Sequence, residues 1–445
     1  MNHADPQDLT PTPSKSQPSQ TPSRDPAVLA GQLSRTLARR AMLQAAAAGA
    51  VAPSVLLATG AGSAQAAPQG LKVLQPGTGR RRGRYVRAKA DEVFWGKLPN
   101  RRSEPVAVVS SGSVVTMDTI SHEGVLEDQG QDPRQFFETY GVPESAVLRD
   151  AIAVAAKSRH DGPGPHVVTG PIAVTGAQPG DVLRIDVLDL PLRVGYGVIS
   201  SRHGKGALPG EYPEQFVARP ENQRYVNEGG DISIFTSVER SGRGLRGQLP
   251  GRVPMSFALK PFMGLMGVAR DTGKEVDSVP PTDAGGNIDI NDLTVGSTLY
   301  LPVQVPGAMF FAGDPHMAQG DGEVALTAME GSLRPTFRLS VIPQGSAAAP
   351  RQAFSSPFAE NEEFWIPIGL SDPDGPEGGV NRTSLDIAMK VAVRQALAFL
   401  TDELGVEGPV AYAYLSAAAD FQCSQVVDRT TGIHGLIRKA DFGRG

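Results

Sequence analysis

Asp314, His316, Asp321 and Glu323 fall within one short run, Phe311-Ala-Gly-Asp-Pro-His-Met-Ala-Gln-Gly-Asp-Gly-Glu323, in which most of the other residues are small. Asp314 and His316 are two apart, so an extended strand sets both side chains on one face. Gly320 and Gly322 let the backbone bend and bring Asp321 and Glu323 back towards them. Carboxylate oxygens and an imidazole nitrogen are the ligands a hard or borderline divalent ion takes. A second reading stays open on spacing alone. Gly-Asp pairs are turn residues, and a histidine beside a proline can simply bond its loop neighbours. No fixed-spacing motif such as H-E-x-x-H decides between them.

The same run, read as Gly-Asp-x-His-x-Ala-Gln-Gly-Asp-Gly-Glu, resembles the signature of the acetamidase/formamidase family of amide hydrolases. Thr169-Gly-Pro-Ile-Ala-Val-Thr-Gly-Ala-Gln-Pro-Gly-Asp-Val-Leu183 is similar to the family's Gly-Pro, Gly-Ala, Pro-Gly-Asp stretch, and Pro261-Phe-Met-Gly-Leu-Met-Gly-Val268 to its proline- and glycine-rich core. Gly285-Gly-Asn-Ile-Asp289, Leu293 and Gly296-Ser-Thr-Leu-Tyr-Leu-Pro302 resemble the segment before the signature, and Ala418-Ala-Asp420 with Ser424-Gln-Val-Val-Asp428 the closing one. These segments run in family order from about residue 105 to residue 440.

The resemblance implies hydrolysis of the C–N bond of a small amide to a carboxylate and ammonia or an amine. That reaction needs a strong nucleophile, a partner for the tetrahedral oxyanion and an acid for the departing nitrogen. A bound divalent metal, zinc being the first choice, supplies the first two by lowering the pKa of a water towards about 7 and polarising the carbonyl. Asp314 and His316 are the leading ligands, with Asp289 and His122 as further ones. Glu323 is the expected general base beside the metal, Asp321 a second catalytic carboxylate, and Asn287 a donor to the oxyanion. Bland readings stand beside these: His122 and Glu123 as an exposed strand end, Asp289 as an Asx-turn, Asp420 and Asp428 as structural groups. The rival mechanism uses the lone Cys423 as a nucleophile, but a cysteine beside an apolar stretch is usually buried and inert, and no G-x-S-x-G offers a serine instead.

His166-Val-Val-Thr-Gly-Pro171 stands where the family more often has Asn-Pro-Ala-Thr-Gly-Pro, and Pro315 where a glycine is common. These departures alter the pocket walls and leave the substrate open: a lactam, carbamate or urea-like compound is the alternative on the same scaffold. A non-catalytic exported β protein that binds small ligands is the other. It would want an exposed aromatic platform, and the only two tryptophans, Trp95 and Trp365, lie outside the polar signature.

The 445-residue chain is long enough for two or three packed units. With 47 Asp plus Glu against 42 Lys plus Arg and 6% aromatic residues, nucleic acid is not an expected partner. The one basic cluster, Arg80 to Arg87, reads as a solvated arm. Residues 2–30, rich in Pro, Ser, Thr, Gln and Asp, are expected to be disordered. Arg39 and Arg40 then precede an apolar run over residues 45–58, and Ala64-Gln-Ala66 offers a cleavage site: the pattern of a twin-arginine export signal over residues 1–66, read by the twin-arginine machinery and delivering the protein to the periplasm or beyond. No later apolar stretch is long enough to span a bilayer, so no stable membrane insertion is expected. A single cysteine allows no intrachain disulfide. A homo-oligomer remains an open alternative.

To hold such a site, the chain offers short β-rich runs punctuated by its 51 Gly and 37 Pro. Residues 106–110, 113–117, 182–188, 297–303 and 323–329 fit strands, so residues 67–343 are expected to form a mainly β, sandwich- or jelly-roll-like amidase body. Residues 344–445 read as a smaller α+β part of the same catalytic unit. In it, Thr383-Ser-Leu-Asp386 caps an amphipathic helix carrying Leu385, Ala388, Met389, Ala392, Ala396, Phe399 and Leu400, which Gly405 ends. A second helix is expected over 410–421, and residues 344–380 are expected to be a connection or long surface loop.

Overall fold

In a computed structural model, residues 71–371, apart from 228 and 243, and residues 384–443 are described here. The twin-arginine pair, the apolar run and the cleavage site lie outside the described residues.

The described chain is mainly β with few helices. One sheet has nine strands, ordered Arg84–Val86, Ser113–Met117, Thr336–Ile342, Val182–Asp189, Thr298–Pro302, Phe358–Glu360, Phe364–Leu370, Gly432–Arg438 and Asp420–Gln425. A second sheet of eleven strands runs from the exposed edge Met255–Ala258 through Gly244–Leu249, Ile232–Ser241, Tyr196–Ser201, Met329–Glu330, Phe310–Ala318 and Phe262–Gly267 to Gly285–Asn287. Val167–Thr175 joins it by pairing with Phe310–Ala318. The pairings are antiparallel except where Arg84–Val86 meets Ser113–Met117 and Ala107–Ser110 meets Val167–Thr175.

The main apolar core draws on both sheets, with Val115, Ile185, Leu299 and Phe337 from the first meeting Ile172, Met266, Phe310 and Tyr196 from the second. Phe310–Ala318 lies in the middle of its sheet and residues 310–317 are all buried. Both faces of this strand are covered, so its sequence lacks the apolar–polar alternation of a half-exposed strand. Aspartate and histidine in such a strand cost desolvation unless something satisfies them.

Four of the five expected strands form, within a residue or two of their expected limits. The fifth does not: residues 323–328 make turns and bends, and only Met329–Glu330 is extended, because Gly322 and Glu323 turn the chain with φ of 93° and 47°. The helix Leu385–Asp402 forms, and the Ser384 hydroxyl accepts from Ile387 N–H at 3.3 Å. Ala388, Ala392, Ala396, Phe399 and Leu400 are buried as expected, whereas Leu385 and Met389 face outward. The next helix is Gly408–Ala418; the chain then enters the strand Asp420–Gln425, which pairs with Gly432–Arg438. Of the expected loop over 344–380, residues 344–371 are described, and they are more than a connection, since Phe358–Glu360 and Phe364–Leu370 are paired strands of the nine-stranded sheet. Trp95 is buried and Trp365 packs against Phe399 and Phe442. No helix among the described residues is long and apolar enough to cross a membrane.

Candidate metal and catalytic centre

Phe310–Ala318 supplies Asp314 and His316, and its neighbours supply the rest. Glu330 stands directly opposite His316 in the ladder. His166 immediately precedes the strand Val167–Thr175, and Asp289 follows the strand Gly285–Asn287 by two residues. His122 and Glu123 come from the segment after Ser113–Met117, Glu323 from the turn after the central strand, and Asp428 from the hairpin that joins the last two strands.

The polar atoms converge. His316 Nε2 is 2.9 Å from Asp314 Oδ2, 3.0 Å from Glu330 Oε1 and 4.0 Å from Glu323 Oε1. Asp314 also reaches His122 Nδ1 at 3.4 Å through Oδ1 and His166 Nε2 at 3.7 Å through Oδ2. Asp289 Oδ1 is 3.9 Å from His316 Nδ1. All of these side chains are buried.

Two observations bear on what the cluster is for. Asp289, Asp314 and Glu323 each adopt a left-handed backbone, with φ of 49°, 51° and 47°. That conformation costs on the order of 1–3 kcal/mol per residue and persists where surrounding structure holds it, commonly at functional sites. In addition, both nitrogens of His122, both carboxylate oxygens of Asp289, Asp314 Oδ1, His316 Nε2 and Glu330 Oε2 are buried without a hydrogen-bond partner. Unpartnered buried polar atoms are costly, and here they point inward from different elements.

The donor set fits a divalent cation. Three groups bring candidate ligand atoms within 4.8 Å of one another: His122, His166 and Asp314; Asp289, His316 and Glu323; and Asp314, His316 and Glu330. Imidazole with carboxylate suits zinc and its neighbours. Gly264 leaves the necessary room, since a Cβ there would lie 2.5 Å from Asp289 Oδ1, 2.6 Å from His316 Cε1 and 2.7 Å from Asp314 Oδ2.

Without a cation, the charges polarise one another. Burial alone would lower the His122 imidazole, but the Asp314 and Glu123 carboxylates push it up to about 10. Burial likewise opposes protonation of His316, and Glu330 and Asp314 hold it well above its usual value. Asp314 is held well below the usual carboxylate range, against its own burial, by His316 and His166. Burial lowers His166 to about 4. Asp289 and Glu323 are both raised well above their usual values by burial, with the Glu323 charge adding at Asp289 and the Asp428 and Asp314 charges at Glu323. Burial also raises Glu330, with Asp314 adding to it. Glu123 is kept ionised by Arg202, whose Nη2 lies 3.1 Å away, and takes a hydrogen bond from Ser200 at 2.7 Å.

Of the residues expected from sequence, the structure brings Asp289, Asp314, His316, His122 and Glu323 into one cluster. His122 and Glu123 are buried, so the exposed strand-end reading does not hold. Asp321 does not join them. It lies at the surface, where its Oδ1 accepts from Asn291 Nδ2 at 2.8 Å. Asn287 is buried but sits opposite Leu265, a residue of a separate apolar cluster, and its Oδ1 has no partner. Asp420 is exposed, while Asp428 is buried and raised to about 7, by burial first and with the Asp314 charge adding to it. Cys423 is half-buried and its thiol is raised by burial and by Asp321, the opposite of an activated nucleophile.

Two members of the cluster were not expected from the sequence as ligands or catalytic groups, although His166 stood out as a departure in the pocket wall. Glu330 was detectable as a carboxylate inside the apolar run Leu326-Thr-Ala-Met-Glu-Gly331, and His166 as an unusual residue before a strand. Glu330 also lines a small cavity with Ser121, Glu123, Phe137, Leu148 and Tyr196. Its volume, about 20 Å³, suffices for one small group.

The sequence profile described as the Acetamidase/Formamidase family matches residues 160–276 and 268–436. His166, Asp289, Asp314, His316, Glu323 and Glu330 fall inside that span, and His122 and Glu123 outside it. An acetamidase of Mycolicibacterium smegmatis is 32% identical over 202 residues, which are 36% of this chain and 49% of that protein. A formamidase of Methylophilus methylotrophus is 34% identical over 193 residues, 36% of this chain and 47% of that protein. The chain thus spans about half the length of the curated relatives it matches. Two solved structures share the fold. An acetamidase from Bacillus halodurans superposes with a TM-score of 0.58 at 21% identity, over 80% of this chain and 98% of that one. An acetamidase from Yersinia enterocolitica does so with a TM-score of 0.60 at 22% identity, over 85% and 96%.

Proposed function

The chain belongs to the Acetamidase/Formamidase family, and from that premise we propose that it hydrolyses the C–N bond of a small amide of the acetamide or formamide kind to a carboxylate and ammonia or an amine. The observation that carries the reading is the set of buried, unpartnered nitrogen and oxygen atoms on His122, Asp289, Asp314, His316 and Glu330. Of those residues His122, Asp289, Asp314 and His316, with His166, are the proposed holders of a divalent cation, and zinc is the proposed ion. When bound, such a cation polarises a carbonyl and brings the pKa of a water towards about 7.

The chain's own side chains do the remaining work. Glu323 and Glu330 are the carboxylates available to accept and return a proton, and Glu330 is favoured because it also lines the cavity. Arg202 balances the charge of Glu123 at the cavity wall. Phe137, Leu148 and Tyr196 make the wall apolar, which excludes bulk water and limits the acyl group to a short one. The test is metal analysis of the purified protein together with ammonia release over short amides, lactams, carbamates and ureas. No turnover of any short linear amide by metal-replete protein would sink the assignment.

We further propose that the protein is exported by the twin-arginine route, the support being Arg39 and Arg40 before an apolar run. Replacing both arginines by lysine should trap the precursor in the cytoplasm. Recovery of processed double variant outside the inner membrane would refute that route.

A further inference from the structure

Gln319 follows the central strand and touches three parts of the molecule at once. Its Nε2 donates to the backbone carbonyls of Asp289 and Ser424, each at 3.0 Å. Its Oε1 lies 3.0 Å from His316 Nδ1. A backbone carbonyl only accepts, so the two carbonyls fix which end of the amide is nitrogen and leave Oε1 facing the imidazole. An amide oxygen also only accepts, so the proton in that contact has to reside on His316 Nδ1. Asp289 Oδ1 is the other acceptor near Nδ1, and at 3.9 Å it is too far for a hydrogen bond.

We infer that Gln319 is a positioning residue: it holds the proton of His316 on Nδ1 and so leaves Nε2 as the nitrogen that works among Asp314 and Glu330. The same amide ties the turn that carries Glu323 to the C-terminal hairpin. Ser424, which accepts from it, is itself anchored through its hydroxyl to His434 Nδ1 at 2.8 Å. Gly322 reinforces the junction by donating to the Cys423 carbonyl at 2.8 Å. The last two strands are therefore part of the scaffold of the site although Asp314 and His316 lie more than a hundred residues before them. His166 has no such device, since its Nδ1 meets the Ser278 hydroxyl at 2.9 Å and a hydroxyl can donate or accept. The inference concerns the imidazole itself and stands whether or not an amide is the substrate.

Histidine-selective ¹⁵N labelling of the full chain, with two-bond ¹H–¹⁵N correlations, reads which nitrogen carries the proton. A protonated His316 Nδ1 is expected across pH 6 to 8.5. A ring with bare Nδ1 and a proton on Nε2 at any pH in that range overturns the inference, and this measurement needs no variant. Gln319→Leu should lose the Nδ1–H signal through exchange with water, while Gln319→Glu, which keeps an acceptor but loses the donor, should retain it at a lowered Tm. An Nδ1–H signal unchanged in Gln319→Leu would equally overturn it.

Discussion

Asp314 Oδ2 and His316 Nε2 lie 2.9 Å apart, one residue removed from each other on a strand whose two faces are both buried. The i, i+2 spacing puts them on one face, and the left-handed backbone of Asp314 brings the carboxylate against the ring. Gly264, on the adjacent strand, keeps the space between them and Asp289 open.

Removing either member of that pair should empty the site. His316→Ala and Asp314→Ala are expected to lose bound metal and to lower kcat/KM by several orders of magnitude. Metal analysis beside the amide assay checks this, and full metal content in both variants would contradict the ligand assignment.

Gly264→Ala adds one methyl group where two carboxylate oxygens and the His316 ring carbon Cε1 lie within 2.7 Å of the new Cβ. Overpacking of this kind costs about 1–3 kcal/mol. A lowered Tm with at least about tenfold weaker zinc binding is the expected result. Normal affinity would show that these side chains do not meet around an ion.

Zinc affinity should rise with pH. In the cation-free protein His122 is protonated up to about 10, His316 is raised too, and burial raises Asp289 and Glu323, so binding has to displace protons. Each proton displaced strengthens binding about tenfold per pH unit until its group ionises without help. Competition with a chelator between pH 6 and pH 8 measures the slope; a flat profile would mean that these groups do not bind the ion.

Glu330→Gln should retain zinc and lose about 10²- to 10⁴-fold in kcat, the usual worth of a positioned proton acceptor. Glu323→Gln separates the two carboxylates. If it keeps both zinc and rate, proton transfer belongs to Glu330; if it loses zinc, Glu323 is a ligand. A Glu330→Gln enzyme at full rate would remove Glu330 from the chemistry.

The short-range features were legible in the order of residues alone: strands such as Ser113–Met117 and Val182–Asp189, the Ser384-capped helix, and the likeness carried by residues 313–323. Those follow from side-chain period, capping and spacing, which are local properties. Asp314 and His316 were legible because two residues on one strand face meet without help from the rest of the fold. Tertiary structure decided the remainder. It turned residues 323–328 out of a strand, left Asp321 at the surface, and set Glu330 opposite His316 through ladder register, which no local pattern encodes. It also brought in His122 and His166 from segments well over a hundred residues earlier. Their place in the cluster depends on how strands far apart in sequence stack, and that is settled by the packing of the whole core.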